Sequence, residues 1–273
     1  MNSTISIAEF FSWRHHPFAD TYTLREPFMS TSDKRVLQHG SSLLANGKSF
    51  ALTGPSGSGK STLIQHIIAN LDPHRYKPVL IPYGGLRRTG MLKTIADAIG
   101  VDVAGRQIPL LVKLQNHIIN MNSDNNGRHP VIIIDDAQLM ERDSLLDLCS
   151  LMANPLKKTV ASSLILVGDD SLPKLLSLYV MSPVRTRLTA FFPMKPLNED
   201  DSVEFISFRL RNANAPEHIF EREAISLITA HCQGNRRQIM NTATLLLDEA
   251  FLRNEKTISP QLFLSCEPVH VSG

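Results

Sequence analysis

Eight residues, GPSGSGKS at positions 54–61, constrain this chain more than any other stretch. They follow a short apolar segment at 49–53 and lead into a second one running from Lys60 to about residue 70. Gly54, Gly57 and Gly59 permit backbone conformations that residues with a Cβ avoid, so successive N–H groups can turn inward around an anion. A helix opening at Lys60 would add its positive end to the same point. Strand, Gly-rich turn and helix in this order form a phosphate-binding unit, and every fixed position of G-x-x-x-x-G-K-[ST] is filled. The expected ATP-binding set is Gly54, Pro55, Ser56, Gly57, Ser58, Gly59, Lys60, Ser61 and Thr62. Lys60 should reach the β- and γ-phosphates, and the Ser61 hydroxyl should ligate Mg²⁺.

The alternation continues beyond the loop. Strands are expected at 49–53, 78–82, 131–134, 162–167 and 191–194, and helices at 33–46, 91–99, 109–121 and 144–152. Uninterrupted apolar runs such as Val131, Ile132, Ile133 and Ile134 suit strands buried on both faces of a parallel sheet. The pattern predicts an α/β fold with a doubly wound parallel sheet. After Pro196 only helical spacing remains, at 199–212, 221–232 and 236–253. The expected organisation is an N-terminal arm at 1–30, an α/β nucleotide-binding domain at 31–196, a helical lid domain at 197–267 and a tail at 268–273. The arm, rich in aromatics, prolines and histidines, is expected to be irregular and to lie on the domain behind it. Phe10, Phe11, Trp13 and Phe18 are either partly core or line the adenine side of the site.

The second half of the site is VIIIDD at 131–136. An apolar strand ending in Asp135 delivers that carboxylate to the sheet edge, where it can hold Mg²⁺. Asp136, the next residue, is placed to orient an attacking water or, alternatively, to cap the helix that follows. It is one methylene shorter than glutamate, so hydrolysis is expected to be slow or to need a partner.

Composition excludes several alternatives. The net charge is only +2, so any nucleic-acid site must be a local basic cluster. Cys149, Cys232 and Cys266 lack metal-ligand spacing and suit reduced thiols of a cytoplasmic protein. Neither a secretory leader nor an apolar stretch long enough to span a bilayer is present, so a soluble chain with no membrane partner is expected.

Taken in order, the loop at 54–61, IIIDDAQ at 132–138, ILVGDD at 165–170, RTRL at 185–188 and GNRRQI at 234–239 resemble the AAA+ ATPases. FFSWRHHPF at 10–18 is similar to the opening of the ExeA-type group, itself similar to the transposition regulators TniB, TnsC and MuB. The resemblance implies that Asp169 is the sensor 1 residue and that Arg237 is sensor 2, with Arg236 its competitor. It also implies that Arg187, or else Arg185, serves as an arginine finger on a neighbouring subunit's ATP, with a surface arginine pair as the alternative. In the transposition relatives the segment after the second strand tracks the DNA backbone. Here Arg87, Arg88, Thr89 and Lys93 suit phosphate contacts that ignore sequence, although Arg-Arg in a loop can also be a solubilising feature. Lys157 and Lys158 are a weaker candidate.

The resemblance thus implies an ATP- and Mg²⁺-dependent ATPase that binds double-stranded DNA as a self-assembled ring or filament. It would recruit a transposase, with a target selector as a further partner. An ExeA-like secretion-assembly ATPase is the alternative. It is disfavoured because the chain ends soon after the lid, without a membrane helix and wall-binding module. A replication initiator or clamp-loader-like switch would be favoured by an added winged-helix domain, for which no room is expected, and nothing resembles the pocket of a metabolic kinase.

Overall fold

The apolar runs of the first three-quarters of the chain pair side by side. A computed structural model describes residues 6–20, 26–104, 108–121, 127–154, 159–267 and 269. Lys157, Lys158 and all of the expected tail except Val269 lie outside the described residues. Five parallel strands form one sheet: β1 (Ser49–Thr53), β2 (Tyr76–Ile81), β3 (His129–Ile134), β4 (Ser163–Gly168) and β5 (Leu188–Pro193). Their order is β5-β1-β4-β3-β2. β1 and β4 are buried along their whole length and β3 over all but its first residue, as expected for strands covered on both faces. The edge strands β2 and β5 instead include half-buried and exposed positions. The α/β parallel sheet expected from the alternating pattern is therefore present.

In chain order the first helices are α1 (Ile7–Phe11), α2 (Thr31–Ala45), α3 (Lys60–Ala69), α4 (Arg88–Ile99), α5 (Leu110–Met121) and α6 (Arg142–Met152). Two short helices, α7 (Leu172–Ser177) and α8 (Ser182–Arg185), fill the interval between β4 and β5, for which periodicity predicted nothing. The last four are α9 (Glu199–Asn212), α10 (Arg222–Cys232), α11 (Arg236–Leu252) and α12 (Pro260–Ser265). Among the described residues no helix is long and apolar enough to cross a membrane.

Contacts divide the chain into two units. One comprises residues 31–55 and 60–194 and holds the sheet; the other comprises 1–30, 56–59 and 195–273. In the first, Ile95, Leu114, Ile118, Ile132, Leu148 and Leu166 belong to one buried core of sheet and helix residues. In the second, α10 presents Ala224, Ile225, Ile228 and Cys232, a helical stripe, to a core shared with Leu210, Ile239 and Leu246.

The N-terminal stretch differs from the irregular arm expected of it. Ser6 and Glu9 form a reciprocal capping box that starts α1. Phe10, Phe11, Trp13 and Phe18 are then buried in the core of the helical unit. Phe11 stacks on Trp13 with ring centroids 4.9 Å apart, and the Lys256 ammonium lies 3.7 Å over the Phe10 ring. Burying each such side chain contributes about 1.5–3 kcal/mol, which explains why aromatics so near a terminus are ordered. They are core of the helical unit, so the adenine-lining alternative loses its basis.

Candidate nucleotide-binding site

Strand register sets the site. Thr53 pairs with Gly168, Ile134 with Leu166, and Ile81 with Ile134, so the C-terminal ends of four neighbouring strands finish along one edge. The sequence order reverses between β1 and β4, the position where open α/β sheets bind ligands. Three predicted segments therefore converge there: the loop after β1, the carboxylates after β3 and the DD pair after β4.

Gly54 has φ +151°, and a Cβ on it would come within 2.7 Å of the Met194 carbonyl oxygen. Its N–H donates to Gly168 O at 3.2 Å, tying the loop to the end of β4. Lys60 opens α3, and its Nζ donates to Gly54 O (2.8 Å) and Pro55 O (3.0 Å), folding the side chain back under the loop. Burial lowers the Lys60 pKa, while Asp135, Asp136, Asp169 and Asp170 act in the opposite direction. Ser61 Oγ donates to Asp135 Oδ2 at 3.0 Å. A hydroxyl and a carboxylate oxygen brought together by residues 74 apart are a fitting pair of hard ligands for Mg²⁺. The half-buried lysine beside four carboxylates likewise suits a magnesium-bound triphosphate. Thr62 is exposed on the first turn of α3.

Asp136 lies in the left-handed region, φ 50°, and its N–H donates to Asp135 Oδ1 at 3.0 Å. It precedes a short 3-10 turn at Ala137–Leu139, but its side chain makes no capping hydrogen bond there. Its Oδ1 instead accepts from Gln138 Nε2 at 3.2 Å, and Gln138 Oε1 accepts from the Asp169 N–H at 3.2 Å. The Asp169 carboxylate accepts from the Ser171 N–H (2.8 Å) and hydroxyl (2.5 Å), which hold its pKa below the ordinary carboxylate value. Gln138 was missed from the sequence as a site residue. The available signal was a polar side chain two positions past the carboxylate on a 3-10 turn.

Residues 56–59 of the loop group with the helical unit. Asn235 caps α11, its Oδ1 accepting from the N–H groups of Arg237 and Gln238, while its Nδ2 donates to Ser56 O at 2.7 Å. Arg237 Nη1 donates to Ser56 Oγ at 3.0 Å, and Arg236 Nη1 to Ser58 O. Arg236 is buried and Arg237 is the more exposed of the two. Both expected sensor 2 candidates therefore touch the loop, Arg236 on backbone and Arg237 on a side chain. Asn235 had no assigned role in the sequence reading.

The basic residues divide by partner. Arg88 makes a bidentate pair with Asp147, Nε–Oδ2 2.5 Å and Nη2–Oδ1 2.9 Å, pinning α4 to α6. Arg87, Thr89 and Lys93 are exposed around the first turns of α4. Gly84, just before them, packs so closely on the Asp136 carbonyl that a Cβ has no room. Arg187 Nη1 donates to Pro183 O (2.8 Å) and Arg185 Nη1 to Ser177 O (3.3 Å); both side chains are exposed.

The sheet order, the loop after β1 and the carboxylates after β3 form the geometry of a phosphate-loop nucleotide site, and residues 45–176 match the family model of an AAA domain. Over 255 residues the chain is 25% identical to general secretion pathway protein A of Aeromonas hydrophila. That match covers 92% of this chain and 46% of the relative, so the chain spans about half the relative's length. In fold it is similar to Cdc6p of Pyrobaculum aerophilum, with a TM-score of 0.70, 17% identity, and 90% and 68% of the two chains covered. It is also similar to ORC1 of Aeropyrum pernix in complex with DNA, with a TM-score of 0.66, 15% identity, and 89% and 66% covered.

Proposed function

We propose that this chain is an ATP-dependent, sequence-nonspecific double-stranded DNA-binding ATPase that assembles into rings or filaments and regulates transposase recruitment and target selection. Ser61 and Asp135 would hold Mg²⁺, whose charge would offset that of the phosphates when it is bound. Lys60 and the loop N–H groups bind the triphosphate, Asp136 orients the attacking water, and Arg237 is the sensor 2 residue. Hydrolysis is slow because Asp136 is short, and it depends on assembly because Arg187 acts on the ATP of a second copy.

The observation that carries the DNA reading is the exposed set Arg87, Thr89 and Lys93 on the segment whose Gly84 packs on Asp136. In this reading the phosphate-binding surface lies one backbone contact from the carboxylate that orients water. The likeness in fold to an ORC1 structure solved with DNA supports it. Arg88 belongs to the same surface, but its removal would also strand Asp147, which is 9% exposed.

Binding to random-sequence duplex DNA tests the proposal, with ATP, a non-hydrolysable analogue, ADP and no nucleotide. Tight, salt-sensitive binding is expected with ATP or the analogue only. Substituting Arg87 and Lys93 together should lower the slope of log K against log salt by about two, one for each lost phosphate contact. An unchanged slope would move the DNA site elsewhere. Arg187→Ala should retain ATP binding and lose about a thousandfold in turnover of the assembled state. Turnover equal to wild type would exclude it as the finger.

The 25% identity to general secretion pathway protein A supports a second reading, a secretion-assembly ATPase. Absence of DNA binding in every nucleotide state would favour it.

A further inference from the structure

We propose that Gln138 is a positioning residue for the hydrolytic step, fixing the Asp136 carboxylate by spanning it to the backbone at Asp169. This inference rests on the reading of Asp136 as the residue that orients water. The amide orientation follows from its partners. A backbone N–H only donates, so the atom facing Asp169 N must be the Gln138 oxygen; an ionised carboxylate only accepts, so the atom facing Asp136 Oδ1 must be the nitrogen. One side chain thus satisfies both strand ends, and neither bond can be reversed.

Space for the bridge is provided by Gly168. A Cβ there would come within 2.6 Å of Gln138 Oε1 and 2.9 Å of Leu172 Cδ2. The bridge joins residues 31 apart in sequence, the ends of adjacent strands β3 and β4. With Oδ1 engaged by the amide, Oδ2 is the Asp136 oxygen available to a water. In the step it serves, the water oxygen bonds to the γ-phosphorus and the bond from that phosphorus to the β–γ bridging oxygen breaks. Asp136 takes up the water proton and returns it to solvent. The role of Gln138 is to keep Oδ2 on that line.

Two substitutions separate the two bonds. Gln138→Glu keeps an oxygen for the Asp169 N–H but replaces the donor to Asp136 with a repelling carboxylate; Gln138→Ala removes both. Three measurements on the full chain are needed: ATP affinity, single-turnover hydrolysis, and hydrogen exchange of the Asp169 amide without nucleotide. In both variants hydrolysis should fall about 100-fold, the scale of an ångström-sized misplacement, with ATP affinity unchanged within about twofold. The Asp169 amide should exchange about fivefold faster in Gln138→Ala and at the wild-type rate in Gln138→Glu. A Glu variant that hydrolyses ATP like wild type would overturn the proposal and leave the reading of Asp136 intact. So would an Asp169 amide that ignores Gln138→Ala. A wild-type chain that binds ATP but never hydrolyses it would overturn both. Should Gln138→Ala fail to fold, the Glu variant, which retains the structural bond, still decides the matter.

Discussion

Lys60→Ala is expected to weaken ATP binding about a thousandfold. The ammonium is half-buried and bonded to Gly54 O and Pro55 O, a position from which it can exchange two carbonyls for phosphate oxygens with little movement. Burial alone would favour its neutral form, but Asp135, Asp136, Asp169 and Asp170 favour the cation. Removing the cation leaves those four carboxylates facing a polyanion. Losing one partner of a desolvated charge pair costs roughly 4 kcal/mol, hence the thousandfold. Calorimetric titration with ATP and Mg²⁺ measures it, and the melting temperature of the variant checks folding. A folded Lys60→Ala protein with wild-type affinity would remove the basis of the site.

Gly57→Ala should be the most damaging substitution in the loop. Gly57 has φ +78°, and an added Cβ would collide with Asn235 Oδ1 and come within 2.7 Å of Arg237 Cβ. The left-handed conformation costs an L-residue about 1–2 kcal/mol, and displacing the Asn235 cap from α11 costs about 1 kcal/mol more. A loss of about 2–3 kcal/mol in the helical unit is therefore expected, together with weakened ATP binding. Gly90→Ala is the control. Its Cβ would meet Leu86 only at 3.8 Å and beyond, on a helix, so a gain of about 0.5–1 kcal/mol is expected there. Denaturant unfolding compares the two. Equal stability of Gly57→Ala and wild type would mean that residues 235–237 do not hold the loop.

Residues close in sequence were the legible ones. The strand at 49–53, the helix opening at Lys60 and the carboxylate ending β3 could be read because each depends on its immediate neighbours. β1 and α9 match the expected spans residue for residue, whereas β2 begins two residues early and β5 three. Those two are edge strands, whose pairing is set by a neighbour rather than by their own apolar run. α7 and α8 escaped because they are four to six residues long, too short for a helical period to register. Arg88 illustrates the opposite limit. Beside Arg87 it read as one of a matched pair, but Asp147, 59 residues on, engages its guanidinium, whereas Arg87 is exposed.

The sequence by itself determined the phosphate loop, its strand and helix, the carboxylate that follows β3, and the change from α/β to all-helical organisation near Pro196. Each is written in conformational preference or periodicity within a few residues. Only the tertiary structure decided that Gln138 spans Asp136 and Asp169, that Asn235, Arg236 and Arg237 grip residues 56–58, and that the N-terminal aromatics are core of the helical unit. Those contacts join residues from 31 to more than 180 positions apart, with the single exception of Gln138 to Asp136. Side-chain hydrogen bonds and burial depend on where the chain returns, and local preference carries no information about that return.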